Sequence, residues 1–194
     1  MGDLLLRPWR REDAPAVLAI FAASTDLDTQ YPWPVRTLDD AAACLERMLA
    51  WQPDPAAGEQ YPLAVVVDGT PVANVGLAEV SRRHGTAWVS YFSSGAVRGR
   101  GHVRRALAAV VDWAFTDLDL FRLELGHRTN NPASGTVAEA VGFVPEGVER
   151  AKLRHGDERF DVRTLALLAT DPRPAGRPGE GRVSLETGLR RSRT

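Results

Sequence analysis

Arg98-Gly99-Arg100-Gly101-His102-Val103 sets two glycines among basic side chains, a combination suited to holding an anion. Glycine has no Cβ, so the backbone can take positive φ and a ligand can approach closely. Upstream, Trp88-Val89-Ser90-Tyr91-Phe92 is rich in β-branched and aromatic residues and predicts a strand. Downstream, Val103, Leu107, Val110, Val111, Ala114 and Leu118 recur at helical spacing. A strand, a glycine turn and a helix follow in that order. The unpaired N–H groups of the turn and first helical turn, backed by the helix dipole, form a cradle for a pyrophosphate. Arg98 and Arg100 add charge-assisted hydrogen bonds at its rim. His102 is placed to meet phosphate or solvent rather than to act in catalysis. No Lys-Ser/Thr pair follows, which excludes a P-loop, and the third glycine of the Rossmann fingerprint is absent.

Some thirty residues on stand Asn130-Asn131-Pro132-Ala133-Ser134, then Gly142-Phe143 and Glu146-Gly147. Taken with R-G-R-G-H-V-x-x-A-L at 98–107, R-L-E-L at 122–125, N-x-x-S at 131–134 and a last strand from Asp161-Val162, the half from Val65 to Leu168 resembles the GNAT superfamily of N-acetyltransferases. The likeness is to its ribosomal-protein N-acetyltransferase branch. The resemblance implies an α/β (α+β) fold. It would be a mixed, mostly antiparallel twisted sheet of about seven strands with flanking helices, in three α/β/α layers. It implies acetyl-CoA as cofactor, its pyrophosphate held from Arg98 to Val103. Ala96 stands where many members carry Gln or Arg, which removes a side-chain contact but no backbone donor.

Acetyl transfer from a thioester to an amine requires a deprotonated amine, a held carbonyl, a met oxyanion and a departing thiolate. In the resembled fold the fourth and fifth strands splay apart, so N–H groups near Tyr91-Phe92-Ser93 would take the pantetheine and acetyl oxygens. The superfamily's usual tyrosine would fall at Ala138, and the branch's substitute serine at Ser134, the expected aid to the leaving thiolate. Asn131 is expected to cap the following helix and to contact pantetheine. Leu123 and Leu125 share one strand face, so Glu124 points to the other and is the expected base if that face looks into the splay. Glu79 is the second choice, on the substrate side. The branch's hairpin glutamate has no counterpart, since Lys152 and Leu153 occupy that region. Trp33, in the aromatic, proline-rich connection 29–35, is placed to wall a substrate groove.

These groups need a scaffold, and 194 residues with 44% apolar content and net charge −1 can build one. A single domain over 1–170 is expected, followed by a mostly disordered Arg/Pro/Gly-rich tail over 171–194 in which Val183-Ser184-Leu185 could dock. Near-neutral charge gives no case for nucleic acid or membrane. One cysteine, Cys44, excludes an internal disulfide and fits a reducing cytoplasm. Asp13 is read as the cap of a first helix, and Thr37 with Asp40 as the cap of a second running to about Trp51. Gln52 to Gly58 reads as a turn-rich loop. The partner expected is a small-molecule or peptide amine, with no metal, and a monomer or homodimer. A non-catalytic acyl-CoA-binding module is the alternative, motivated by the missing tyrosine and hairpin glutamate. An RNA-binding arginine–glycine element is a weaker third.

Overall fold

The computed structural model describes residues 2–31, 34–50, 59–176 and 179–186. The chain runs β1 (Leu4–Pro8), α1 (Ala14–Ala22), α2 (Leu27–Gln30), α3 (Leu38–Ala50), β2 (Glu59–Val67), β3 (Thr70–Ser81) and β4 (Thr86–Ser93). It continues through α4 (His102–Thr116), β5 (Arg122–Arg128), α5 (Pro132–Glu139), β6 (Val144–His155), β7 (Glu158–Leu168) and β8 (Val183–Leu185). The strands form one sheet in the order β6-β7-β5-β4-β3-β2-β1-β8. Only β4/β5 and β1/β8 are parallel. The sheet is thus mixed and mostly antiparallel, as expected, with eight strands rather than about seven.

β2 shows why both faces carry helices. Its Leu63 and Val65 belong to the core that contains Ala106, Leu107 and Val110 of α4 and Ala138 of α5. Its Ala64 and Val66 belong to the core of Val17 and Ile20 of α1 and Cys44 and Met48 of α3. A strand covered on both faces reads as a continuous apolar run, as this one does. β6 is the opposite case. As an edge strand it is exposed along its whole length, and it continues as strand to His155.

The tail is partly structured. Leu4, Leu5 and Leu6 of β1 pair in parallel with Val183, Ser184 and Leu185. Arg105 of α4, 3% exposed, holds both chain ends, donating to the carbonyls of Gly2 (3.0 Å) and Gly181 (2.5 Å). Arg104 pairs with Glu180 beside it. This side-chain clamp has no local sequence signal. Residues 187–194 and 51–58, including the stretch expected to be a turn-rich loop, lie outside the described residues.

Thr37 and Asp40 exchange backbone and side-chain hydrogen bonds at the start of α3, as their spacing predicts. Asp13 departs from expectation. It stands before α1 but makes no cap hydrogen bond to it. Its carboxylate instead takes both terminal nitrogens of buried Arg7 (2.7 and 2.8 Å) and the N–H of Arg10 (2.8 Å). Burial pushes this carboxyl up, but the bonds from Arg7 and Arg10 outweigh burial and hold it below its ordinary value. A carboxyl lowered in the folded state adds stability that is present above its unfolded value and is lost as pH falls through the folded one. Asp13→Asn should therefore cost about 2 kcal/mol at neutral pH, the scale of a hydrogen bond to a charged group. It should also flatten the fall of Tm below about pH 4. Thermal unfolding followed from pH 7 to pH 2 checks both, and parallel curves for the two proteins would refute the assignment.

Candidate active site

β4 and β5 pair through only three positions, Thr86↔Arg122, Ala87↔Leu123 and Trp88↔Glu124. Beyond Trp88, β4 continues against β3 to Ser93, while β5 continues against β7 to Arg128. The two parallel strands therefore diverge. Val89–Ser93 and Leu125–Arg128 face each other across an opening that leads into a cavity of about 630 Å³.

The glycine turn closes one end of that cavity. Ser24, just past α1, anchors its start: its Oγ accepts from the Gly95 N–H (2.7 Å) and donates to the Ser93 carbonyl (3.2 Å). A Cβ at Gly95 would lie 2.2 Å from the Ala23 carbonyl oxygen, so the turn sits directly on α1. Gly99 and Gly101 both hold positive φ (75° and 71°), the conformation expected of them. Arg105 N–H donates to the Gly101 carbonyl (3.1 Å), the first such bond of α4. The N–H groups of His102, Val103 and Arg104 therefore have no helical acceptor. His102 is 8% exposed with Nδ1 unpartnered. Burial, then Arg105 and Arg100, lower its pKa, so the imidazole is neutral at neutral pH. Arg98 binds Asp26 (2.9 Å) at the rim. Arg100, expected at the rim, is exposed and does not line the cavity.

Two hydroxyls meet in the opening. Tyr91 Oη donates to the Ser134 carbonyl (2.6 Å), and Ser134 Oγ donates back to Tyr91 Oη (3.2 Å). Burial pushes the Tyr91 phenol up to about 12, so it keeps its proton. The motif places Ser134 here. It does not place the Tyr91 side chain, because only backbone is expected of that strand. Ala138, at the superfamily's usual tyrosine position, is fully buried core. His127 stands behind this pair, 7% exposed, its Nδ1 2.9 Å from the Arg128 carbonyl and its Nε2 unpartnered. α5 approaches so closely that a Cβ at Gly135 would lie 2.6 Å from that Nε2. Asn131 lines the cavity at the start of α5, but its side chain makes no cap hydrogen bond. Asn131 therefore holds the expected cap position, with its backbone carbonyl accepting from the Ser134 N–H (3.3 Å) rather than its side chain bonding the helix.

The expected bases are elsewhere. Glu124 does lie on the strand face opposite Leu123 and Leu125, but at the last paired position below the opening. Its carboxylate is bound to Arg122 (2.6 Å), which also holds Glu146 (2.6 Å), and it does not line the cavity. Glu79 sits exposed at positive φ (51°), where β3 loses register with β4, and is likewise outside. Trp33 lies outside the described residues. The expected residues that do come together around the cavity are Tyr91, Phe92, Ser93, Arg98, Gly99, Gly101, His102, Val103, Asn131 and Ser134. Among the described residues no cluster of His, Cys, Asp and Glu could hold a metal, and no helix is long and apolar enough to cross a membrane.

Comparison with known proteins gives the family and the fold. The pattern of the acetyltransferase (GNAT) domain matches residues 3–144. The Probable N-acetyltransferase YjcK of Bacillus subtilis (strain 168) is 28% identical over 173 residues, spanning 87% of this chain and 95% of that protein. RimJ of Mycobacterium smegmatis, solved in complex with CoA-disulfide, superposes with a TM-score of 0.73 at 25% identity, covering 84% of this chain and 81% of that one. Spermidine N-acetyltransferase from Vibrio cholerae, solved with CoA and spermine, shares the fold with a TM-score of 0.71 at 20% identity, over 87% and 96%. The family pattern covers β1 to β5, the glycine turn and α5, and this chain belongs to the acetyltransferase (GNAT) domain family.

Proposed function

We propose that the protein transfers an acetyl group from acetyl-CoA to a primary amine by direct attack of the amine on the thioester. The observation that carries this reading is the Tyr91–Ser134 hydroxyl pair in the strand opening, next to the free N–H groups of the turn and α4. The residues fit the coenzyme. The turn offers backbone donors with no Cβ on Gly99 or Gly101, and His102 keeps an unpartnered nitrogen beside them. When bound, acetyl-CoA supplies an acyl group on a thiol whose pKa, about 8.5, makes it a tolerable leaving group.

Ser134 Oγ turns its proton from Tyr91 Oη to the departing sulfur. Tyr91 Oη turns its own from the Ser134 carbonyl to refill Ser134, taking one in return from the solvent that receives the amine's proton. The unpaired backbone edge of Val89–Ser93 faces the place where oxyanion charge develops. Among the described lining residues no free carboxylate stands ready to receive the amine's proton. Asp26 is the one acid among the described lining residues, and Arg98 holds it. We assign amine deprotonation to solvent at the mouth, with Glu124 active only if it leaves Arg122.

Thiol release from acetyl-CoA, followed with a panel of peptide and small-molecule amines, tests the reading. Amine-dependent release is expected, with a rate that rises with pH as the free amine fraction grows. Glu124→Gln should leave that pH profile in place, and a depressed acidic limb would return Glu124 to the role of base. Acetyl-CoA binding with no amine-dependent release would mean a non-catalytic acyl-CoA-binding module, the reading favoured by the lack of a free carboxylate among the described lining residues.

A further inference from the structure

Three arginines among the described residues are more than nine-tenths buried, and two of them make side-chain hydrogen bonds. Arg7 is paired with Asp13, and Arg105 holds the carbonyls of the chain ends. Arg128 is different. It is 8% exposed, lines the cavity, and makes no side-chain hydrogen bond or ion pair to any described residue. Its guanidinium lies over the ring of Phe160, 4.7 Å from the centroid. Stacking of that kind fixes the plane and leaves the N–H fork at its edge free for a planar anion. A nearly buried charge without a counter-ion is costly, and the cost is relieved when a counter-ion arrives.

The position of Arg128 says which ligand brings that anion. Along β5, Leu125 and His127 point toward α5, so Gly126 and Arg128 point to the opposite face. A Cβ at Gly126 would lie 3.1 Å from the Trp88 ring, which also lines the cavity. Tyr31, Met48, Gln60 and Leu153 complete that side. This is the face away from α5 and Ser134, where an incoming amine has room. Its charge is also telling. With Asp26 bound to Arg98, the described lining offers a polycation no free carboxylate and offers an anion Arg128.

We propose that Arg128 binds a carboxylate carried by the acceptor itself. The acceptor class is then an amine with its own carboxylate, either a free amino acid or a peptide whose first residues are acidic, and not a polyamine. This rests on the acetyl-transfer reading above and narrows its substrate.

The test uses the full chain with acetyl-CoA and matched acceptors: amino acids against their amides, Asp-containing against Asn-containing peptides, and spermidine. The wild type should favour each carboxylate over its neutral match by about ten- to a hundredfold in kcat/KM, the range of one charge-assisted contact. Arg128→Gln should erase that preference through the acceptor KM, leaving kcat and calorimetric acetyl-CoA affinity in place. Arg128→Lys should restore some of it. The amino-acid and peptide arms decide which carboxylate is read. Equal rates on acid and amide, or a preference for spermidine, would overturn the proposal. So would a loss of acetyl-CoA affinity in Arg128→Gln, which would make Arg128 a coenzyme contact. Binding of the same acceptors to the CoA-loaded protein, read by tryptophan fluorescence, separates the two readings. Carboxylate-selective binding that Arg128→Gln abolishes, without turnover, would refute acetyl transfer and uphold Arg128. Binding blind to the carboxylate would refute Arg128 alone.

Discussion

Gly101→Val is expected to weaken acetyl-CoA binding about a hundredfold or more while the domain stays folded. Gly101 holds φ at 71° immediately before α4, a conformation in which a β-branched residue is a true outlier. Keeping it there costs roughly 1–2 kcal/mol. Relaxing it rotates the turn and disperses the donors that follow. Each charge-assisted hydrogen bond lost is worth about 1.5–3 kcal/mol, so losing two reaches a hundredfold. The fold should survive because the cores on the two sheet faces do not include Gly101. Arg98→Ala should cost far less, since its guanidinium is already engaged with Asp26 and the backbone donors remain. Calorimetric titration of both variants checks the order, and unchanged affinity in a folded Gly101→Val protein would remove the turn from the site.

Tyr91→Phe and Ser134→Ala should each lower kcat by about a hundredfold, within the usual range for a positioned proton donor. Acetyl-CoA affinity should hardly change. Tyr91→Phe keeps the ring and removes only the oxygen that accepts from Ser134 and donates to its carbonyl. Because the two hydroxyls act as one unit, the double variant should be little worse than either single one. The phenol, pushed up to about 12 by burial, should add no ionisation to the pH–rate profile below about pH 11. A loss confined to KM would make the pair a cofactor support. Additive losses would mean that the hydroxyls act separately.

The glycine turn was legible because everything it needs is local. Two glycines for positive φ, an aromatic strand before them and apolar residues at helical spacing after them lie within thirty residues. Leu107, Val110, Val111 and Ala114 are all fully buried, as that spacing requires. Glu124 shows where such reasoning stops. Alternation correctly set it opposite Leu123 and Leu125, but the use of that face depends on where β4 and β5 diverge. Glu124 is still paired when they do, whereas Arg128 lies beyond the divergence. Arg128 carried no signal, since nothing adjacent in sequence says that Phe160 will lie under it.

By itself, then, the sequence determined most of the strands and helices, which of their faces are apolar, and where backbone donors gather, because side-chain periodicity and glycine's freedom act over a few residues. Tertiary structure decided the rest. It brought Tyr91 to Ser134 across 43 residues, tied the tail to β1 and Arg105, and left Arg128 nearly buried without a counter-ion among the described residues. These outcomes depend on strand register and on the closeness of packing, such as α5 on His127 at Gly135. Both are settled only when distant segments compete for the same partners in the folded core.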